Sequence, residues 1–355
     1  MIPSGFSSAL VQWQRHSGRH DLPWQRYVTP YERLVSEVML QQTQVETVMP
    51  YYERFLARFP SVEALAAAPD DDLMRLWAGL GYYARARNLR RAAQKVVEEF
   101  GGVFPKTAEG LETLPGVGPS TAAAVAAFTT AEAVRPMVDG NVKRVLARVA
   151  AVPGRVGEKA FERAVYAEAV AQLPGSADIA SYTQGLMDLG SLICRRREPR
   201  CEVCPVRAFC RAADLGRPED FPQPKKPLVK RSRHLLAGFV VTAAGLWLQP
   251  GKDSIWRGLW CPGVVEVAPE YKSGAPSLEA LSLEGEWDVV PLGELHRELT
   301  HQKLLIEGWV YISIKGRPHD AAFRSMGVNP DLWPGMPAPM RILAERAMRA
   351  AGYVL

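Results

Sequence analysis

Between Asp21 and Asp214 apolar side chains recur every three or four positions, and Pro and Gly interrupt the recurrence more often than β-branched alternation does. That period gathers apolar residues into one stripe of a helix. It predicts helices over Tyr31–Tyr52, Asp71–Leu80, Ala84–Phe100, Ser120–Phe128, Val142–Val149, Glu158–Leu173 and Ile179–Ile193. The pattern lapses from Arg217 to Arg233, where Pro218, Pro222, Pro224 and Pro227 alternate with Lys225, Lys226, Lys230, Arg231 and Arg233. Proline fixes φ and removes a backbone donor, so this stretch reads as an extended linker. Beyond it, Leu235–Leu248, Trp260–Val267 and Leu304–Ile314 are short β-rich runs, and Met340–Ala350 has the spacing of an amphipathic helix. The expectation is a multidomain chain: an all-α domain over residues 1–214, a linker over 215–233 and a smaller α+β domain over 234–355. No internal repeat of fixed period is present.

A length of 355 residues suits two domains, and 47% apolar residues can fill two cores. No apolar run approaches the roughly 18 to 20 residues of a membrane span, and Met1–Leu10 lacks the basic-then-apolar layout of a signal peptide. The expectation is a soluble, intracellular protein with no membrane partner. A formal charge of +5 permits contact with a polyanion without demanding it.

Four of the five cysteines are spaced Cys194-x6-Cys201-x2-Cys204-x5-Cys210. Such packing suits a metal site in a reducing compartment better than a disulfide framework. Zinc usually draws on two separated CxxC pairs, whereas this pattern has one CxxC flanked by longer gaps. A 4Fe-4S cluster is therefore the preferred reading, with zinc or free thiols as the alternatives. Arg195, Arg196, Arg197, Arg200, Arg207 and Arg211 surround it, either as a solvated basic loop or as a cationic platform for phosphates. Cys261 stands outside the pattern and reads as a buried apolar residue.

Leu114-Pro115-Gly116-Val117-Gly118-Pro119 joins two helical stretches, with glycines for a tight turn and Pro119 placed for a first helical position. The amides of Val117, Gly118 and Ser120 are expected to face outward and to hold a phosphate without reading sequence. A plain helix–helix connection is the alternative. Asp139-Gly140-Asn141 precedes the next helix, so Asp139 or Asn141 is an N-cap candidate whose carboxylate the helix dipole would keep ionised. Glu37 borders the stripe formed by Leu34, Val38, Val45 and Val48. Desolvated there, it would hold its proton above the usual carboxylate range; otherwise it is an ordinary exposed helical Glu. As a pair, Glu37 and Asp139 offer one acid and one anion, the asymmetry that glycosidic cleavage needs.

These residues closely resemble the helix-hairpin-helix DNA glycosylases and, within them, the MutY-type adenine glycosylases. The matching segments are Asp21-Leu22-Pro23-Trp24, Ser36–Val45, Gly79–Asn88, Leu114–Gly118, Val138–Arg144 and the four cysteines, and they cover nearly all of residues 1–214. The resemblance implies a base-excision-repair hydrolase acting on double-stranded DNA that carries adenine opposite 8-oxoguanine or guanine. It implies that Glu37 protonates N7 of a flipped adenine, that Asp139 stabilises the oxocarbenium-like state, and that Asn141 orients groups around Asp139. Trp24, Leu40 and Asp188 would help form the adenine pocket, while Gln42 and Tyr82 would wedge into the base stack. Gly116, Val117, Gly118, Ser120 and Lys143 would meet the DNA. A cytoplasmic, nucleoid-associated bacterial monomer is the implied setting.

The rival within that superfamily is an endonuclease III-like lyase, which carries a Lys where this chain has Ser120. A hydroxyl cannot form an iminium, so a monofunctional glycosylase is expected, with Lys143 in a phosphate contact. Residues after Arg233 resemble, more loosely, the MutT (Nudix)-like domain that follows the catalytic part in MutY. The matching pieces are Gly258–Gly263, Glu298–His301 and Gly335–Pro339. No pyrophosphohydrolase carboxylate array is present, which leaves lesion recognition as its expected role. Leu299-Thr300-His301 stands where the family has Phe-Ser-His, keeping the hydroxyl and imidazole but not the aromatic ring. A non-enzymatic cluster-containing DNA binder is disfavoured, because a pure binder needs no proton donor facing an anion.

Overall fold

The computed structural model describes residues 1–26, 29–130, 135–224, 228–268 and 270–354. Lys225, Lys226 and Pro227 of the expected linker lie outside them. The chain forms two compact units, one of Met1–Ala67 and Asn88–Lys226, the other of Ala68–Arg87 and Pro227–Leu355. The expected single boundary near 214–233 is thus replaced by a discontinuous partition in which an internal segment joins the C-terminal unit.

The first unit is helical. Its expected helix Tyr31–Tyr52 is two helices, Pro30–Leu40 and Val45–Arg58. Thr29 and Glu32 close a capping box around Pro30 at the start of the first. Gln42, at φ 59°, turns the chain between them. A further helix, Phe6–Ser17, precedes the region where periodicity was expected; Phe6 and Leu10 bury its inner face beside Val145, Leu146 and Phe161. Helix Pro119–Thr129 buries Ala122–Ala127, and such small side chains let helices Pro30–Leu40 and Ala108–Glu112 approach closely. Ile179–Asp188 continues into a π-helical turn, Leu189–Ile193, that delivers the chain to Cys194.

The second unit carries a seven-stranded mixed sheet. Strand Arg231–Thr242 lies parallel to Gln302–Ser313, with Leu235 opposite Ile306. Trp287–Glu298 runs antiparallel to Gln302–Ser313, with a bulge between Pro291 and Gly293. Helix Ala338–Ala350 covers the sheet through Met340, Leu343, Ala344 and Ala347. Because the first strand begins at Arg231, the last residues assigned to the linker belong to the sheet. The internal segment contributes helix Asp70–Trp77. Trp260 Nε1 donates to Asp71 Oδ1 at 2.9 Å, and Arg87 Nη1 donates to the Arg257 carbonyl at 2.6 Å. A side chain at Gly335 would meet the Met74 carbonyl at 2.6 Å, so only glycine permits that approach. An all-α unit followed by an α+β unit is the expected fold class.

Candidate active site

Glu37 occupies the last turn of Pro30–Leu40, where the capping box starts the helix and Leu34, Val35 and Val38 bury its face. Its side chain is 12% exposed, and Arg33 Nε lies 3.5 Å from its Oε1. Burial pushes the carboxyl above its ordinary range; Arg33 opposes that rise, and the charge of Asp139 adds to it. Desolvation outweighs the neighbouring cation, so the net shift is toward the protonated form.

Asp139 caps helix Gly140–Ala150, its Oδ1 accepting from the Val142 amide at 2.8 Å. Burial also pushes this carboxyl upward, against the amides of Val142 and Asn141 and the charges of Arg144 and Lys143. The helix dipole was expected to keep this carboxylate ionised; desolvation is the larger influence, and the cap offsets part of it. Asn141 Oδ1 accepts from Arg144 Nη2 at 3.0 Å, while the same guanidinium donates to the carbonyls of Gly190 and Cys194 at 2.7 and 2.9 Å. Asn141 is thereby tied to the cysteine loop as well as to the Asp139 cap. Lys143 pairs with Glu162 at 2.6 Å, a carboxylate partner that the expected phosphate contact did not include.

In the turn, Gly116 takes φ 77°, and any side chain there would meet Asn88 Cβ at 2.6 Å. The Val117 amide donates to the Leu114 carbonyl at 3.1 Å, which corrects its assignment as an outward donor. Gly118 is the N-cap of Pro119–Thr129, leaving Ser120 in the first turn, where helical amides lack intrahelical acceptors.

A cavity of about 340 Å³ is walled by Trp24, Arg33, Phe128, Gln184 and His20 among others. Of the expected pocket residues it has Trp24 on its wall, packed edge-to-face on Tyr52. Leu40 is half-buried away from it, and Asp188 is fully buried behind Gln184. The Asp188 carboxylate accepts from the Arg19 amide, Arg19 Nε and Gln184 Nε2 at 2.9, 2.8 and 2.8 Å. Asp188 therefore supports the wall rather than forming it.

Gln42 and Tyr82, the two expected wedges, are exposed and share a left-handed backbone, at φ 59° and 48°. Non-glycine residues held there are strained, a state that clusters at functional sites. Within the second unit, the Tyr82 hydroxyl is 2.5 Å from Thr300 Oγ1. Leu299, Thr300 and His301 form the exposed tip between strands Trp287–Glu298 and Gln302–Ser313. Two sequence-distant residues read separately as wedge and lesion contact are thus one hydrogen-bonded pair.

Cys194, Cys201, Cys204 and Cys210 are free thiols around a single cavity completed by Val145, Leu189, Ile193 and Val206. Burial and mutual proximity push Cys204 up to about 12. Arg148, missed in the sequence, is buried with Nη1 3.3 Å from Cys194 Sγ, and it donates to the carbonyls of Phe221, Arg195 and Arg196 at 3.0, 2.6 and 3.0 Å. The four thiols and Arg148 border one largely apolar cavity, and among the described residues no group of three or more His, Cys, Asp or Glu stands close enough together to hold a metal ion as placed. Cys261, outside this group, is buried in the sheet's core, as expected.

Residues 35–168 match the HhH-GPD superfamily of base excision DNA repair proteins. An adenine DNA glycosylase of Buchnera aphidicola subsp. Acyrthosiphon pisum is 34% identical over 259 residues, 72% of this chain and 73% of that protein. The chain belongs to the adenine DNA glycosylase family. Another such glycosylase, from Buchnera aphidicola subsp. Baizongia pistaciae, is 38% identical over 207 residues; there the match covers 58% of each protein. Among solved structures, a thermostable thymine-DNA glycosylase superposes with TM-score 0.52 at 28% identity, over 59% of this chain and 95% of its own. An adenine DNA glycosylase of this family is a hydrolase of base excision repair, and the described residues include no helix long and apolar enough to cross a membrane.

Proposed function

We propose that this chain hydrolyses the N-glycosidic bond of adenine paired with 8-oxoguanine or guanine in duplex DNA, without an efficient lyase step. The observation that carries this reading is the pairing of a desolvated Glu37 with the helix-capping Asp139. Glu37 gives its proton to N7 of the extruded adenine, turning the base into a neutral leaving group. Asp139, once ionised, faces the positive charge that develops on the sugar and orients the attacking water. Asn141 holds the backbone around Asp139. The Gly116–Ser120 turn receives a phosphate through the first helical amides.

Gln42 and Tyr82 hold open the gap left by extrusion, and Thr300 and His301 meet the oxidised guanine with Tyr82 as their hydrogen-bonded neighbour. Cys194, Cys201, Cys204 and Cys210 would hold one 4Fe-4S cluster, whose role would be structural, and the Arg residues of that loop would then lie ready for phosphate contacts. A monomer in the bacterial cytoplasm, working on the nucleoid, is the setting this reading requires.

Single-turnover cleavage of a duplex with adenine opposite 8-oxoguanine tests it. Wild type should release adenine, while Glu37→Gln and Asp139→Asn should each lose about 10² or more in rate. Adenine left attached by wild type, or variants as fast as wild type, would sink the proposal. Borohydride trapping at a yield matching base release would reject the monofunctional assignment.

A further inference from the structure

Arg33 is a cation where a helix normally buries an apolar side chain. Its side chain is 2% exposed, one turn before Glu37. Nη1 donates to the Trp24 carbonyl at 3.0 Å, and the guanidinium carbon sits 3.4 Å from the Phe128 ring centroid. Both contacts fix the plane of the group, one by a hydrogen bond and one by cation–π attraction. Nε, buried and 3.5 Å from Glu37 Oε1, has no hydrogen-bond partner among the described residues. Arg33 also lines the cavity that contains Trp24 and Gln184.

A buried donor without an acceptor is costly, and one 3.5 Å from a carboxyl that the proposed reaction ionises suggests a bond reserved for a later state. Resting on the glycosylase reading above, we propose that Arg33 is a positioning residue for the proton donor, its Nε–H closing on Glu37 as the carboxyl becomes a carboxylate. In that step the Glu37 O–H bond breaks and its electron pair stays on the carboxylate oxygen. The proton forms the new bond at adenine N7, and the cleaved C1′–N9 pair leaves with the base. Negative charge thus appears on Glu37 within reach of a cation already pinned in place.

The charged groups facing Glu37 are Arg33 from its own helix and Asp139 from the neighbouring cap, with Lys143 and Arg144 acting on Asp139 in turn. Tyr52 and Glu37 are the titratable groups acting on Arg33. Among the described residues acting directly on Glu37, Arg33 alone pulls it toward the ionised form.

The experiment is a pH profile of single-turnover adenine release for wild type, Arg33→Met and Arg33→Lys, paired with ¹³C-carboxyl NMR titration of Glu37, assigned with Glu37→Gln. With Arg33→Met the alkaline limb and the Glu37 titration should both move up by about one pH unit, the low end expected for losing an adjacent opposite charge. Arg33→Lys should keep both near wild type. Coincident Glu37 titrations in wild type and Arg33→Met would overturn the proposal, whatever the rates. Should Arg33→Met fail to fold, Arg33→Gln read against Arg33→Lys decides the same question. If wild type releases no adenine but the titrations still separate, the glycosylase reading fails while the charge coupling stands, and Arg33 loses its catalytic meaning.

Discussion

Glu37 illustrates how much of a candidate catalytic residue is readable before folding. Its place beside an apolar stripe was visible, but the decision between exposed glutamate and desolvated acid rests on packing that only the fold supplies. Arg33 was hidden for a similar reason: an Arg four residues before a Glu usually forms a surface pair of small value, and nothing in the spacing tells that this one is buried. The raised carboxyl has a stability signature. Folding lifts its pKa above the unfolded value, so the folded state holds the proton more tightly. Stability from this group is full below the unfolded pKa and is lost as pH rises through the folded one. Glu37→Gln should therefore gain Tm relative to wild type at pH 8 and little at pH 4, while losing activity; thermal scans at both pH values check this, and an equal shift at both would reject it. At the other expected contact, Thr300→Val removes the partner of Tyr82 without changing side-chain shape. The ratio of adenine release opposite 8-oxoguanine to that opposite guanine should fall about fivefold, corresponding to roughly 1 kcal/mol for one hydrogen bond, with release opposite guanine unchanged.

At the scale of elements, the helices with a regular apolar period were legible and the irregular ones were not. Phe6–Ser17 was missed because it follows a left-handed Gly5 and buries the polar Gln14 on its inner face, weakening the stripe. The break at Gln42 was missed because apolar spacing continues across it while the backbone reverses. Trp287–Glu298 escaped because Pro291 and the bulge at Gly293 disrupt strand alternation. The Asp139 cap separates structure from chemistry. Asp139→Asn keeps a capping oxygen and should unfold within a few degrees of wild type, whereas Asp139→Ala should lose about 1 kcal/mol; both should lose about 10² or more in rate, and urea titrations distinguish them. Gly116→Ala is a second test of an element. It places a methyl against Asn88 on a left-handed backbone, so it should destabilise by about 1 to 3 kcal/mol and weaken DNA affinity together. Normal affinity in a destabilised Gly116→Ala would remove the turn from the proposed phosphate contacts.

At the scale of the whole molecule, linear reading fails at Ala68–Arg87. Its helical period is unremarkable for the first unit, and no local signal marks it as part of the second, because membership depends on partners more than a hundred residues away. Asp71 accepts from Trp260, Arg87 reaches the Arg257 carbonyl, and the Met74 backbone meets a position that only Gly335 can occupy. The same segment carries Tyr82, so the expected wedge and the expected lesion-reading tip are held by one folded body. A chain ending at residue 226 should then lose more than the sheet. Helix Asp70–Trp77 and the turn to Arg87 would forfeit these contacts, and their amides should exchange with deuterium markedly faster, while Pro119–Thr129 and Gly140–Ala150 keep their protection. Local unfolding confined to that segment would explain reduced wedge insertion in the shortened chain without any change at Glu37 or Asp139. Unchanged exchange across residues 70–87 would show instead that these contacts contribute nothing to the segment's stability.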